Sequence, residues 1–384
     1  MSESRENSQL TGILIEKLGW RGEGLAKPER DWLVIPGALP GEYVDVEVHA
    51  GHPRSRKRQC TLTSVTAASP DRIAVDCPQF PACRGCHVRH VSRNWERDFK
   101  RRSLVEIVAK FSGWEVAPGD VEFISAKDLA LSDGYRMRGR LARDGDKFGL
   151  VSPAGLQPMN DCLALTREAR DVVAWIVAQQ PREDVEFLAP SGETPVTSLS
   201  PGTTHMHVHG HRFMVGLDVW THASEICSSA LYAFVERHLR ALPRGRLLEL
   251  GCGIGGVTHV AAACGHDAIG IDADLRTIAL AQHNVPNAHF RCAAFERGLR
   301  ELAVERASFD YSVINPMREP IGERAVGLLE SLGVRHVLYL APSPASGVKD
   351  LAALKARGWT LDFAHCADLH PRTYHFMMVA GLSR

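Results

Sequence analysis

The stretch that most constrains this chain is Leu247-Leu248-Glu249-Leu250-Gly251-Cys252-Gly253-Ile254-Gly255-Gly256, an apolar run that breaks into glycines. A helical pattern follows over residues 257–264. Such an order predicts a strand, a glycine loop and a helix of an open α/β sheet. Glycines let backbone approach a ligand closely, and the helix N-terminus offers N–H groups to it. A second apolar run, 268–271, ends at Asp272, an acid placed to suit a ribose diol. The pair predicts a nucleotide-type cofactor held by Gly251, Gly253, Gly255, Gly256 and Asp272. The spacing departs from the Gly-x-Gly-x-x-Gly of dinucleotide sites. From about residue 213 onward, strand and helix patterns alternate, as in a doubly wound sheet.

At 384 residues the chain has room for two to three domains. Its 45% apolar and 23% charged content is that of a globular protein, and no apolar run reaches a membrane span. Residues 1–10 are polar and acidic, unlike a signal peptide, so a cytoplasmic monomer without membrane contact is expected. Ten cysteines in such a setting predict reduced thiols, not a disulfide framework. Net charge is zero, but residues 51–110 carry 13 Lys/Arg against 5 Asp/Glu, either a local anion-binding face or a solvated surface.

Residues 9–66 read as short strands, among them 11–18, 32–36 and 43–48, punctuated by Gly19, Gly22, Gly24, Gly37 and Gly41. Many short strands in so few residues predict a small closed barrel. Arg54-Ser55-Arg56-Lys57-Arg58 follows, a run that on a barrel loop would contact phosphates. Next, Cys77, Cys83 and Cys86 fall within one tight loop that Gly85 and two prolines allow to bend. Soft thiolates select zinc or an iron–sulfur cluster. Cys162 is the best placed fourth ligand, while His87 or His90 would favour zinc; spacing leaves both metals open. Residues 94–111 and 166–186 predict helices, the first burying Trp95, Phe99, Leu104, Ile107, Val108 and Phe111. His205, His207, His209 and His211 alternate in a strand pattern, so they share one face, as a metal site or a half-exposed polar surface.

Several of these motifs resemble known families. The glycine loop resembles the S-adenosylmethionine (SAM) loop of class I methyltransferases. Glu16-Lys17-Leu18, Gly22-x-Gly24, Val34-x-Pro36-Gly37-Ala38-Leu39-Pro40-Gly41-Glu42 and Val44 resemble the TRAM domain, an OB-like barrel that binds RNA. Cys77-Pro78-x-Phe80-x-x-Cys83-x-Gly85-Cys86 with His90 is similar to the [4Fe–4S] loop of the RNA uridine-C5 methyltransferases. So are Tyr135-Arg136-x-Arg138-x-Arg140-Leu141 and Lys147-Phe148-Gly149-Leu150 before Cys162. The resemblance covers most of the chain. It implies a TRAM barrel over 1–68, a central α+β domain with an iron–sulfur loop over 69–205 and a Rossmann-like class I SAM methyltransferase domain over 206–384. It further implies a [4Fe–4S] cluster on Cys77, Cys83, Cys86 and Cys162, and rRNA or tRNA contacts through Arg56, Lys57, Arg58, Arg136, Arg138 and Arg140.

The same resemblance marks what is altered. His222, in Trp220-Thr221-His222, stands where the family has a SAM-contacting Gln. Gly251 and Gly256 replace larger residues, Ala294 an acid near the adenine, and Asn315 the Asp of an Asp-Pro-Pro-Arg motif; Asp272 and Asn284 agree. Tyr339-Leu340-Ala341-Pro342-Ser343-Pro344, then Lys349-Asp350-Leu351, aligns with the nucleophile motif and puts Pro342 at its cysteine. Asp368-x-x-Pro371-x-Thr373-x-His375-x-Met377 aligns with the general-base motif and puts Met377 at its glutamate. C5 of uracil needs a thiolate added at C6 before it attacks a sulfonium methyl, and a base to remove the C5 proton afterwards. Proline and methionine supply neither, so no catalytic residue is assigned. The expectation is an RNA-binding homologue that does not make 5-methyluridine by this route; the alternative is an active SAM-dependent RNA methyltransferase with altered target or chemistry.

Overall fold

The computed structural model describes residues 8–50, 52, 55–126, 133–152 and 155–384. The chain forms two compact units. The first contains Met1–Phe99, Gly149–Pro158 and Arg372–His375; the second contains Lys100–Phe148, Met159–Pro371 and Phe376–Arg384.

The first unit carries β1 (Ser8–Leu14), β2 (Lys17–Leu18), β3 (Gly24–Ala26), β4 (Trp32–Ile35), β5 (Tyr43–Val48) and β6 (Lys57–Ala67). They form one sheet in the order β1-β5-β6-β4-β3-β2, so β1 and β2 stand at its two ends. The sheet wraps a core of Ile13, Ile15, Ala26, Leu33, Ile35, Val44, Val46, Val48 and Cys60. β5 shows the period-two logic: Val44, Val46 and Val48 are buried while Asp45 and Glu47 face outward. The Pro-Gly-Ala-Leu-Pro-Gly-Glu run is explained by its last residue. Glu42 is fully buried, accepts from the backbone N–H of Leu39 (2.8 Å) and Ser69 (3.2 Å), and pairs with Arg72 at 2.5 Å. Arg72 also donates to the Gly37 carbonyl at 2.6 Å, so one buried pair closes the whole turn.

α1 (Arg93–Ser112) begins in the first unit, where Trp95 packs on Leu39, Val88 and Val91, and continues in the second, where Leu104, Ile107 and Val108 are core. Phe111, expected inside, is 45% exposed at the C-terminal end of α1. β7 (Phe123–Ile124), β8 (Arg138–Asp144), β9 (Lys147–Ser152), β10 (Gly155–Pro158), α2 (Arg167–Gln179), β11 (Val185–Leu188) and β12 (Val196–Thr197) follow. α2 stops seven residues short of the expected 186 because Gln180 turns left-handed (φ 47°) and Pro181 follows.

β13 (Thr203–Val208) and β14 (His211–Gly216) form a hairpin, which corrects the four-histidine face. His209 (φ 52°) and Gly210 are its turn, so the alternation breaks there. His207 and Arg212 pair with Glu193, His209 pairs with Glu236, and His211 stacks on His259 at 3.7 Å.

The remaining elements are α3 (Glu225–Arg240), β15 (Arg246–Leu250), α4 (Gly256–Ala263), β16 (Asp267–Asp272), α5 (Leu275–Asn284), β17 (His289–Cys292), α6 (Phe295–Val304), β18 (Tyr311–Ile314), α7 (Glu323–Ser331), β19 (His336–Ala341), α8 (Pro344–Ala356), β20 (Thr360–Ala367) and β21 (Met377–Ser383). Their sheet runs β17-β16-β15-β18-β19-β21-β20-β7, parallel through β19, with β21 antiparallel to both neighbours. Helices cover both faces, so β15, β19 and β21 read as near-continuous apolar runs. The strand order reverses between β15 and β18, where an open α/β sheet leaves a crevice.

Candidate cofactor site

A cavity of about 540 Å³ opens at that reversal. Gly251, Gly253, Gly256, Asp272, His222 and Asn315 all line it; Gly255 does not, and serves as the left-handed residue before α4. A Cβ on Gly251 (φ 81°) would lie 2.1 Å from the Asn315 carbonyl oxygen, so backbone touches backbone where β15 and β18 end. A Cβ on Gly256 would lie 2.0 Å from the Tyr232 hydroxyl. The space of a larger residue at 256 is thus filled from α3, which nothing in the helical pattern of residues 225–240 reveals.

Asp272 organises the floor. Its Oδ2 accepts from the Gly253 N–H (3.0 Å) and its Oδ1 from the Asp274 N–H (3.1 Å), leaving lone pairs toward the cavity. Burial holds the His222 imidazole down at about 4, so it is neutral at pH 7. Its ring meets Trp220 edge-on at 4.8 Å, and Trp220 (47% exposed) and Met317 (58% exposed) stand at the rim.

Three further residues shape the walls. Asn284 accepts from the Met214 N–H and donates to the carbonyls of Met214 and Ile254, tying β14 to the glycine loop. Arg138 donates to the carbonyls of Leu217 (2.5 Å) and Val219 (2.6 Å) and to Thr221 Oγ1 (3.2 Å), holding the segment that delivers His222. Glu249, beneath the loop, is fully buried; it accepts from Thr258 Oγ1 at 2.5 Å and its Oε1 has no partner among the described residues. Burial pushes its carboxyl up to about 8, so it is protonated at neutral pH.

The strands beyond β18 carry the altered positions. Ala341 pairs with Met378 across the antiparallel β19–β21 ladder, so Pro342 and Met377 continue that register at the same end of the sheet. Met377 is 2% exposed. Tyr339 and Asp350 of the same motif serve structure: the Tyr339 hydroxyl donates to Asp350 Oδ2 at 2.5 Å, and Asp350 also accepts from the N–H groups of Ile321 (2.7 Å) and Gly322 (2.9 Å). That anchors the end of the 315–322 loop, whose Pro316, Met317, Glu319 and Pro320 line the cavity. Cys366, the thiol nearest in sequence to the second motif, is fully buried, contacts the Lys100 carbonyl at 3.5 Å, and burial pushes its pKa far up. Beside it Lys100 and Asp368 form a fully buried pair at 2.8 Å.

The remaining site residues are dispersed. Arg56 and Lys57 are exposed, Arg58 donates twice to the His49 carbonyl, and Arg54 lies outside the described residues. Arg136 donates to the Arg138 carbonyl, and exposed Arg140 pairs with Asp184. Cys77, Cys83 and Cys86 are half-buried on one loop of the first unit, and Cys162 is half-buried in the second. Among the described residues no three His, Cys, Asp or Glu side chains are gathered closely enough to hold a metal ion. The thiols suit an iron–sulfur cluster by chemistry alone. No helix among them is long and apolar enough to cross a membrane.

Residues 5–56 match the TRAM domain, and residues 247–327 match a methyltransferase domain. The chain is 23% identical to the 23S rRNA (uracil(1939)-C(5))-methyltransferase RlmD of Shewanella sp. (strain W3-18-1), covering 99% of this chain and 97% of that one. It is also 23% identical to RlmD of Vibrio cholerae, over 96% of this chain and 94% of that one. In fold it is similar to the Pyrococcus abyssi tRNA (uracil-54, C5)-methyltransferase solved with S-adenosyl-L-homocysteine, with a TM-score of 0.73 and 19% identity, over 97% of this chain and all of that one. The chain thus carries a TRAM domain and a methyltransferase domain, and over nearly its whole length it is similar to RNA uracil-C5 methyltransferases.

Proposed function

We propose that this chain is an RNA-binding member of the family that retains a SAM pocket but does not form 5-methyluridine through a cysteine thiolate. The observation that supports the reading is that Pro342 and Met377, which by resemblance align with the nucleophile and general base, lie together at one end of the β19–β21 ladder. Proline brings no nucleophile to C6 of a pyrimidine, and methionine takes no proton from C5. Cys366 does not substitute, because its thiol is buried and held protonated.

The pocket fits the cofactor. SAM, when bound, supplies an electrophilic methyl group on a sulfonium. The glycine floor admits a nucleoside close to backbone, Asp272 has acceptor capacity for ribose hydroxyls, and the rim carries Trp220. His222 and Asn315 are both neutral and grip less than a charged acid or a two-armed amide. The thiols at 77, 83 and 86 are the proposed ligands of the iron–sulfur cluster, and RNA meets exposed Arg56, Lys57 and Arg140.

The preserved cavity also favours a second reading, methyl transfer to an RNA group that needs no covalent activation. Calorimetric titration of SAM, followed by trapping on RNA containing 5-fluorouridine, separates the two. The main reading expects SAM binding and no protein–RNA adduct; an adduct that survives denaturation would overturn it. Methyl transfer from labelled SAM to RNA without an adduct would establish the second.

A further inference from the structure

The first unit holds a second cavity of about 250 Å³, lined in part by Cys86 and its neighbours Arg84 and His87. It lies where the loops of the sheet meet the cysteine loop: a Cβ on Gly22 would lie 3.0 Å from Val88, and one on Gly37 would lie 3.5 Å from Pro81. Phe80, His87 and Tyr374 supply ring surface, with His87 and Tyr374 edge-on at 4.5 Å. Arg21 and Arg84 line it and are exposed, and among the described residues neither has an ion-pair partner. Glu23 lines it too; its Oε2 is buried without a hydrogen-bond partner among the described residues.

These features form a consistent recognition set. Ring faces stack on bases of any sequence. Unpaired guanidinium groups attract phosphates. A buried carboxylate oxygen without a donor is costly until a ligand supplies one, and an exocyclic amine does so; cytosine N4 is the typical partner of Glu or Asp. Uracil offers a carbonyl oxygen at that position, which a carboxylate repels.

We infer that this cavity is a nucleotide subsite that takes one unstacked, amino-bearing base of single-stranded RNA, cytosine above all, with Glu23 accepting from its amine and Arg21 and Arg84 on the flanking phosphates. The inference rests on the RNA-binding reading above and gives it a sequence preference that the arginine patches alone would not.

Fluorescence anisotropy of the full chain with end-labelled octacytidylate and octauridylate, over a series of salt concentrations, tests it. The probes share backbone, length and ring size and differ at the pairing edge of the base, and Glu23→Ala separates the amine's share of the difference from that of stacking. The wild type is expected to bind octacytidylate about tenfold more tightly. Glu23→Ala should abolish that preference. Arg21→Ala with Arg84→Ala, both exposed, should weaken both probes and lower the salt slope by about two. Equal affinity of the wild type for both probes, or a preference that survives Glu23→Ala, overturns the subsite. Binding of a structured rRNA fragment without either octanucleotide also overturns it and leaves the RNA-binding reading standing; binding of no RNA at all overturns both.

Discussion

The two ends of the eight-stranded sheet differ in chemistry. At the β15–β18 end the glycine loop, Asp272 and Asn284 hold a cavity through backbone contacts and side-chain hydrogen bonds. At the β19–β21 end stand Pro342 and buried Met377, with Tyr339 hydrogen-bonded to Asp350. The second region supports the first: Asp350 anchors the 315–322 loop that walls the cavity. Tyr339 and Asp350 have a job in architecture, whereas Pro342 and Met377 bring no titratable group to their end of the sheet.

Reversing the second region should be costly. Met377→Glu puts a carboxyl at a position 2% exposed within an apolar cluster and is expected to lower stability by about 3 kcal/mol in denaturant unfolding. An unchanged midpoint would mean that a polar environment persists at this end. In the first region, Asp272→Ala removes the acceptor that ties Gly253 and Asp274 together and is expected to weaken SAM binding about 100-fold by calorimetry. If the affinity holds, the cavity is not gripping a ribose.

Glu249 sharpens the comparison through pH. Its folded pKa of about 8 lies above the ordinary glutamate value of 4.5, so the unfolded chain loses this proton first. The stabilising contribution is complete below pH 4.5 and is lost as pH rises toward 8, by about 3 kcal/mol at pH 7. Glu249→Gln should remove that slope and be more stable than wild type at pH 8 relative to pH 5. A parallel pair of stability curves would show that Glu249 ionises as an ordinary carboxylate.

Much of this was legible in the sequence because it rests on local patterns. The 247–256 strand and loop, the β5 alternation and α1 each follow from one periodicity or one glycine cluster. The lines that failed were those set by distant contacts. The histidines at 205–211 alternate in sequence, but a left-handed His209 splits them between strands and partners. Arg138 sits in an arginine-rich strand that suggests RNA, yet its guanidinium holds the 217–221 segment. Tyr232 and the structural role of Asp350 depend on residues far away in sequence, and no spacing announces them.

The smallest effect tests the link between the two ends. Tyr339→Phe removes one hydroxyl from Asp350 and leaves the Ile321 and Gly322 N–H donors in place. The carboxylate stays partnered, so the loss should be only about 1 kcal/mol of stability. Because the same carboxylate anchors the cavity wall, SAM affinity should fall a few-fold although residue 339 does not line the cavity. Loss of stability without loss of affinity would mean that the 315–322 loop is held by other contacts, and that the two ends of the sheet are independent.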